Sequence, residues 1–68
     1  MLKTKIKEYR ENAGMKQSDL AKLVSARRET ILHLENGRYN PSLKLAMDIA
    51  KVFNVPVEEL FEFVDDEE

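Results

Sequence analysis

The sequence predicts a mainly α-helical fold, a compact bundle of five short helices. Apolar residues recur at intervals of three and four along most of the chain, which is the spacing of a helix with one buried face. Gly14, Gly37 and Pro41 interrupt this pattern, because glycine favours a helix end and the residue before proline avoids the helical conformation. The 68 residues make one domain, since two halves would each be too small to bury a core.

The five helices follow one another with short connections. Leu2, Ile6, Tyr9 and Ala13 share one face of the first helix, which Gly14 ends. The four later helices are predicted at residues 17–24, 28–36, 42–53 and 57–61. The fourth of the five is expected to begin at a capping serine, Ser42.

The two ends of the chain differ from the helical part. Residues 61–64 alternate at a period of two, which favours a short strand paired with residues 1–3. Residues 65–68 are all acidic and are predicted to form a disordered tail. The folded domain is therefore predicted to span residues 1–64.

Charge is distributed unevenly along the chain. Residues 1–57 carry eleven basic and six acidic side chains, whereas residues 58–68 carry seven acidic side chains and no basic one. The domain body is thus net positive although the chain as a whole has a charge of −2. A basic body with an acidic end suits a nucleic-acid partner, although a solvated basic face has the same composition.

Composition argues against several other classes of protein. The chain has no cysteine and one histidine, His33, so zinc sites built from cysteine and histidine are excluded. It also has no glycine-rich phosphate loop and little room for a substrate pocket, so we expect no enzyme activity, cofactor, metal or small-molecule ligand. No apolar run approaches the roughly 18 residues of a membrane span, and no signal peptide is evident. We expect a cytoplasmic protein without a membrane partner.

Residues 17–36 are the most informative segment. Two predicted helices are separated there by only Ser25, Ala26 and Arg27, and Ala21 is the fifth residue of the first of them. The small side chain of Ala21 lets the two helices cross closely. This arrangement is typical of a helix-turn-helix motif.

The segment from Lys16 to Gly37 resembles the Cro/cI-like, XRE-type helix-turn-helix transcriptional regulators, and the likeness extends over residues 3–62. The matching positions are Gln17, Ala21, Ile31 and Glu35-Asn36-Gly37. The resemblance implies a lambda-repressor-like five-helix bundle that binds double-stranded DNA.

The outer face of the third helix is the candidate surface for base recognition. In a helix-turn-helix this face lies in the major groove. The residues expected to contact bases are Arg28, Glu29, Leu32 and His33. Arg28 suits guanine O6 and N7, Glu29 can accept a hydrogen bond from cytosine N4, and Leu32 can contact a thymine methyl group. The alternatives are an ordinary surface arginine, a helical pair between Glu29 and His33, and packing of Leu32 along its own helix.

A second set of polar residues surrounds this face and is expected to contact DNA phosphates. Its members are Gln17, Arg27, Asn36, Arg38, Asn40 and Lys44. Gln17 begins the second helix, where backbone amides point outward, and the resemblance implies a phosphate contact for it. Any one of the other residues could instead belong to a solvated basic rim, but the group as a whole favours the DNA backbone.

The resemblance also carries two structural expectations. Matching positions in lambdoid phage repressors hold an ion pair between the first and third helices, which implies a pair of Arg10 with Glu35; the alternative is two separate surface charges. Ser25 departs from the family, which typically has glycine in the turn. A serine in a left-handed conformation is strained by roughly 1 kcal/mol.

The last predicted helix and strand are unusually apolar, which suggests self-association. The residues expected at a homodimer interface are Val57, Leu60, Phe61 and Phe63. A symmetric pair would present two recognition helices to an inverted-repeat operator. The alternative is that Leu60 and Phe61 complete the core of a monomer.

The function predicted from these features is that of a dimeric DNA-binding transcriptional regulator acting as a repressor. A protein-interaction module of the same fold, of the kind found in coactivators, is the main alternative. An antitoxin or a restriction-modification controller is an alternative within DNA binding.

Overall fold

The computed structural model describes residues 2–64, which form five α-helices and one two-stranded sheet. Along the chain these are β1 (Leu2–Thr4), α1 (Ile6–Asn12), α2 (Gln17–Leu23), α3 (Arg28–Glu35), α4 (Leu43–Phe53), α5 (Val57–Leu60) and β2 (Phe61–Phe63). The predicted mainly α-helical fold is confirmed, and α2 to α5 begin and end within one residue of the predicted positions. The predicted tail, residues 65–68, lies outside the described residues.

The sheet joins the two ends of the domain. β1 and β2 are antiparallel, with Leu2 opposite Phe63 and Thr4 opposite Phe61. The amide of Lys5 continues the pairing by donating to the carbonyl of Leu60 at 2.9 Å. The predicted strand pairing of the two ends is therefore confirmed.

The first helix is shorter than the sequence pattern predicted. Leu2 is buried in β1 and α1 begins at Ile6, because the backbone of residues 2–4 pairs with β2 instead of continuing the helix. Ala13, predicted on the buried face, is exposed at the end of α1. Of the four residues predicted to share the buried face of the first helix, only Ile6 and Tyr9 lie on that face of α1.

The core takes at least one large apolar side chain from every helix. The fully buried residues are Ile6, Leu20, Ile31, Leu34, Ile49 and Leu60. Each contributes about 1.5–3 kcal/mol by leaving water. Leu60 is 1% exposed, so its side chain faces the core of its own chain and is not available to a partner. The expectation that Leu60 forms part of a dimer interface is therefore wrong.

The first four helices end in the same way. Each is followed by a residue with a positive φ; these residues are Gly14, Ser25, Gly37 and Asn54. The amide of the following residue donates back into the last turn, as from Ala26 to the carbonyl of Ala21 at 2.9 Å and from Arg38 to that of His33 at 3.0 Å. These bonds satisfy carbonyls that the helix itself leaves without a partner.

The end of α3 is fitted closely against β1. Gly37 has φ of 72°, and a Cβ atom at this position would overlap the carbonyl oxygen of Leu2. At Gly14, where φ is 71°, no atom lies within 4 Å of an added Cβ. The sheet therefore supports the end of α3 through a contact that only glycine permits.

Candidate nucleic-acid interface

The candidate interface is built on α2 and α3, which pack against each other across a short turn. Leu20 and Ala21 of α2 are buried, and Ile31 and Leu34 face them from α3 in the same core. Ser25 turns the chain with φ of 56°, the left-handed conformation for which the family resemblance implies glycine. The helix-turn-helix geometry thus forms with serine in place of glycine.

The outer face of α3 presents most of the predicted base-contacting side chains. Arg28, Glu29 and His33 are exposed. Leu32 is only half-buried, so part of its surface packs against the protein while part remains available. Because Ile31 and Leu34 fix the opposite face in the core, the orientation of the exposed residues is determined by packing.

The predicted phosphate-contacting residues lie around the ends of α3 and α4. Arg27 precedes α3, Asn36 follows it, and Arg38 and Asn40 lie in the loop that leads to α4. All four side chains are exposed. They form an exposed polar rim, with two of the four cationic, beside the outer face of α3.

Lys44 extends this rim onto the first turn of α4. Its ammonium group also contacts Asp48 at 2.8 Å, one helical turn along. Ser42 caps the same helix end by accepting a hydrogen bond from the amide of Leu45 at 3.1 Å, as predicted. Asp48 therefore partly offsets the positive charge of Lys44. Among the described residues, Arg27 and Arg38 have no carboxylate partner that would offset their charges in this way.

Gln17 differs from the other members of this set, because it is half-buried and bonded at both ends of its amide. Its Nε2 donates to Glu35 at 3.1 Å, and its Oε1 accepts from Arg28 at 3.1 Å. Neither contact was predicted from the sequence. Gln17 and Arg28 are the first residues of adjacent helices, so no periodicity within one helix relates them.

Arg10 and Glu35 form the ion pair that the family resemblance implied. Arg10 donates from Nε to Glu35 Oε2 at 2.6 Å and from NH2 to Glu35 Oε1 at 3.2 Å. Both side chains are almost fully buried. The hydrogen-bonded carboxylate of Glu35 raises the pKa of Arg10 above its ordinary value, although burial opposes this effect.

Comparison with known proteins agrees with this geometry. A family profile described as Helix-turn-helix matches residues 6–60. The chain belongs to the helix-turn-helix transcriptional regulators. This family binds double-stranded DNA and is generally not enzymatic, so the chain is a DNA-binding regulator.

Several curated helix-turn-helix regulators match nearly the whole chain. An uncharacterised HTH-type transcriptional regulator of Archaeoglobus fulgidus is 58% identical over 66 residues, which cover 97% of this chain and 94% of that protein. One of Methanocaldococcus jannaschii is 48% identical, over 97% of this chain and all of the relative. A Bacillus subtilis regulator, YgzD, is 40% identical over 88% of this chain and 91% of its own length. Within residues 2–64, no helix of this regulator has the length and apolar character needed to cross a membrane.

Proposed function

We propose that this regulator binds an inverted-repeat operator as a symmetric homodimer and represses transcription, with α3 in the major groove. The observation that carries the proposal is the exposed row of Arg28, Glu29 and His33 on α3 beside the rim of polar and basic residues. A major groove about 12 Å wide admits a helix, and the first residues of that helix lie nearest the bases.

The two sets of residues have separate tasks. Arg28 recognises a guanine through O6 and N7, Glu29 accepts from cytosine N4, and His33 and the open part of Leu32 contact the edges of neighbouring bases. The exposed rim neutralises phosphates and fixes the position of the protein on the duplex without selecting a sequence. The rim residues are Arg27, Asn36, Arg38, Asn40 and Lys44, with Gln17 contacting a phosphate from the start of α2.

Two copies of the domain supply the discrimination that one recognition helix lacks. Phe63 is 72% exposed, and Val57 and Phe61 are half-buried, so these three side chains offer an apolar surface at the end of the domain. A two-fold axis through this surface places the recognition helices one helical turn of DNA apart, about 34–36 Å. Each half-site then contributes separately to affinity.

Repression follows from occupancy. A dimer bound over a promoter excludes the polymerase sterically. This mechanism requires only tight and specific DNA binding by the chain. The operator therefore has to overlap a promoter for the proposal to hold.

The decisive experiment begins with selection of bound duplexes from a random library. We expect an inverted repeat, on which Arg28→Ala weakens binding by about 1–3 kcal/mol and relaxes preference at one base pair of each half-site. Arg38→Ala should weaken all duplexes alike and lower the salt dependence by about one ion for each phosphate that is no longer neutralised.

The controls separate this function from its alternatives. Equal losses on selected and random DNA in Arg28→Ala would remove Arg28 from the recognition surface. Failure of the wild-type protein to enrich any duplex would favour a protein-interaction module. A promoter fusion carrying the selected site tests repression directly, because reporter output should fall when the regulator is expressed.

A further inference from the structure

The strand β1 lies between the two parts of the molecule that the proposed binding to an operator requires. On one side it pairs with β2, where Leu2 lies opposite Phe63, the most exposed side chain of the proposed homodimer surface. On its other side β1 contacts the end of α3, the helix proposed to enter the major groove. β1 therefore connects the proposed dimer surface to α3.

The backbone of β1 is oriented so that it reaches both neighbours. In an antiparallel pair, successive residues direct their backbone groups alternately toward the partner strand and away from it. The amide of Lys5 donates to the carbonyl of Leu60 at 2.9 Å, so Lys5 and, two residues earlier, Lys3 direct their backbone groups to β2. Leu2 then directs its carbonyl away from β2. Gly37, at the end of α3, lies against this carbonyl.

The contact between Leu2 and Gly37 leaves no space for either backbone to move closer. Gly37 has φ of 72°, and a Cβ atom at this position would overlap the carbonyl oxygen of Leu2. The side chain of Leu2 is buried, so β1 is also held from the side of the core. Closely packed groups transmit a displacement to their neighbours because no void is present to absorb it. The backbone of β1 therefore sets the position of the end of α3.

We infer that Leu2 and Gly37 are positioning residues that set the separation of the two α3 helices in the homodimer, and thereby the half-site spacing that the regulator selects. A two-fold axis at the surface of Phe63 is connected to each α3 through β2, β1 and Gly37. Each base pair moves a half-site by about 3.4 Å along the duplex and rotates it by about a tenth of a turn. The position of α3 relative to the axis thus decides which spacing both helices can bind. This inference rests on the proposed function, because it requires the homodimer and DNA binding by α3.

The main test is a comparison of spacing ratios. The Kd for an operator with one base pair inserted between the half-sites, and the Kd for an operator with one base pair removed, are each divided by the Kd for the operator selected with the wild-type protein. In Gly37→Ala the new methyl group displaces α3 relative to β1. We expect at least one of the two ratios to fall about 5-fold or more, which is a typical size for the coupling between two sites. The Kd for a duplex with a single half-site should stay close to the wild-type value, because it depends on one α3 alone.

Gly14→Ala is the matched control for this variant. Gly14 has φ of 71°, so alanine introduces the same backbone strain, but no atom lies within 4 Å of the added Cβ. Both ratios should therefore remain at their wild-type values. Equal ratios in the wild type and in both alanine variants would overturn the inference, even if Gly37→Ala weakens binding to every duplex.

Asparagine provides a second pair of variants if Gly37→Ala does not fold, which thermal denaturation establishes. Asparagine adopts a left-handed φ more readily than alanine does, whereas its Cβ atom still meets the carbonyl of Leu2. Gly37→Asn should therefore change the ratios in the same direction as Gly37→Ala, and Gly14→Asn should not change them. Unchanged ratios in Gly37→Asn would overturn the inference.

A distance measurement without DNA separates this inference from the proposed function. The chain has no cysteine, so His33→Cys supplies one position for a spin label on the exposed face of each α3. Double electron–electron resonance gives the distance between the two labels in the homodimer. Adding Gly37→Ala should shift the mean distance by about 1–2 Å, the size of helix shifts at subunit interfaces, and adding Gly14→Ala should not. An unshifted distance in Gly37→Ala would overturn the inference while the homodimer stands. The absence of a dipolar signal in labelled His33→Cys alone would refute the homodimer, and this inference with it.

Discussion

The guanidinium of Arg10 binds the carboxylate of Glu35 through two nitrogens, with a Nε–Oε2 distance of 2.6 Å and a NH2–Oε1 distance of 3.2 Å. Arg10 is 7% exposed, and the side chain of Glu35 is 3% exposed. The pair joins α1 to the last residue of α3, and the hydrogen bond of Arg10 to Met15 ties in the loop before α2. The helix α3 is thereby fixed to the rest of the domain by polar as well as apolar contacts.

Arg10→Ala should lower the free energy of unfolding by about 3–5 kcal/mol, because it leaves the carboxylate of Glu35 buried without its cation. A domain of this size has only about 5–15 kcal/mol in total, so much of the stability depends on this residue. Urea denaturation, monitored by circular dichroism, measures the change in the free energy of unfolding. Lys44→Ala is the matched control, since the side chain of Lys44 is 84% exposed and its ion pair with Asp48 should contribute about 0–1 kcal/mol. Similar losses of unfolding free energy in the two variants would show that burial does not increase the contribution of the Arg10–Glu35 pair to stability.

The two glycines provide a test of how tightly α3 is fitted to the sheet. Gly14 and Gly37 have nearly equal φ of 71° and 72°, so alanine experiences the same left-handed strain at both. Gly14→Ala should therefore cost about 1 kcal/mol. Gly37→Ala should cost about 1–3 kcal/mol more, because its new methyl group overlaps the carbonyl of Leu2 and β1 must shift. Denaturation of the two variants under one set of conditions gives the difference, and equal costs would contradict the close contact.

Tyr9 links α1 to α5 through a hydrogen bond, and its hydroxyl should lose its proton at a higher pH than that of an ordinary tyrosine. Its hydroxyl donates to Glu59 Oε2 at 3.0 Å, and this hydrogen bond is the main reason that its pKa is raised above the ordinary value of 10.0. A tyrosine hydroxyl with a raised folded-state pKa contributes stability that is present below pH 10 and is lost as pH rises through the folded-state pKa. Ultraviolet titration in a Tyr39→Phe background follows Tyr9 alone.

The variant Glu59→Ala should move that midpoint down, because both the hydrogen bond and the neighbouring negative charge are removed. Glu58→Ala is the matched control, since Glu58 is the adjacent residue and makes no described hydrogen bond to Tyr9. An unchanged midpoint in Glu59→Ala would show that the hydrogen bond does not form in solution.

The fold could be predicted from the sequence where one local rule decided the structure. The glycines and Ser42 marked helix ends because left-handed φ and side-chain capping are properties of single residues. Leu2 was assigned both to the first helix, by its spacing from Ile6, and to a strand paired with residues 61–64; only the strand is present, with Leu2 opposite Phe63. Helical periodicity alone could not decide between these two assignments, because it does not include pairing between distant segments.

The candidate site shows the same division. The exposure of Arg28 and His33 followed from the period of one helix, and the Arg10–Glu35 pair came from the resemblance. The contacts of Gln17 with Arg28 and Glu35 were missed because they join two helices and depend on side-chain orientation. Leu60 was assigned to a partner because composition does not indicate which apolar residues the core has room for.

The remaining prediction concerns self-association. It compares Phe63, which is exposed, with Leu60, which is buried in the core. Phe63 is 72% exposed, so Phe63→Ser should change the stability of a monomer by less than about 0.5 kcal/mol. At a symmetric interface the same change removes a phenyl group from each protomer, and the dimer Kd should rise about 10-fold or more. Leu60→Ala should instead destabilise the fold by about 2–5 kcal/mol, since Leu60 is fully buried.

Sedimentation equilibrium at several micromolar protein concentrations, together with thermal denaturation, distinguishes the loss of dimerisation from the loss of folding stability. Leu43→Ser is the control for exposed apolar surface in general, because Leu43 is 73% exposed on α4 and lies outside the predicted interface. Dissociation by Leu43→Ser with none by Phe63→Ser would move the interface to α4, and a wild-type protein that sediments as a monomer would refute the homodimer itself.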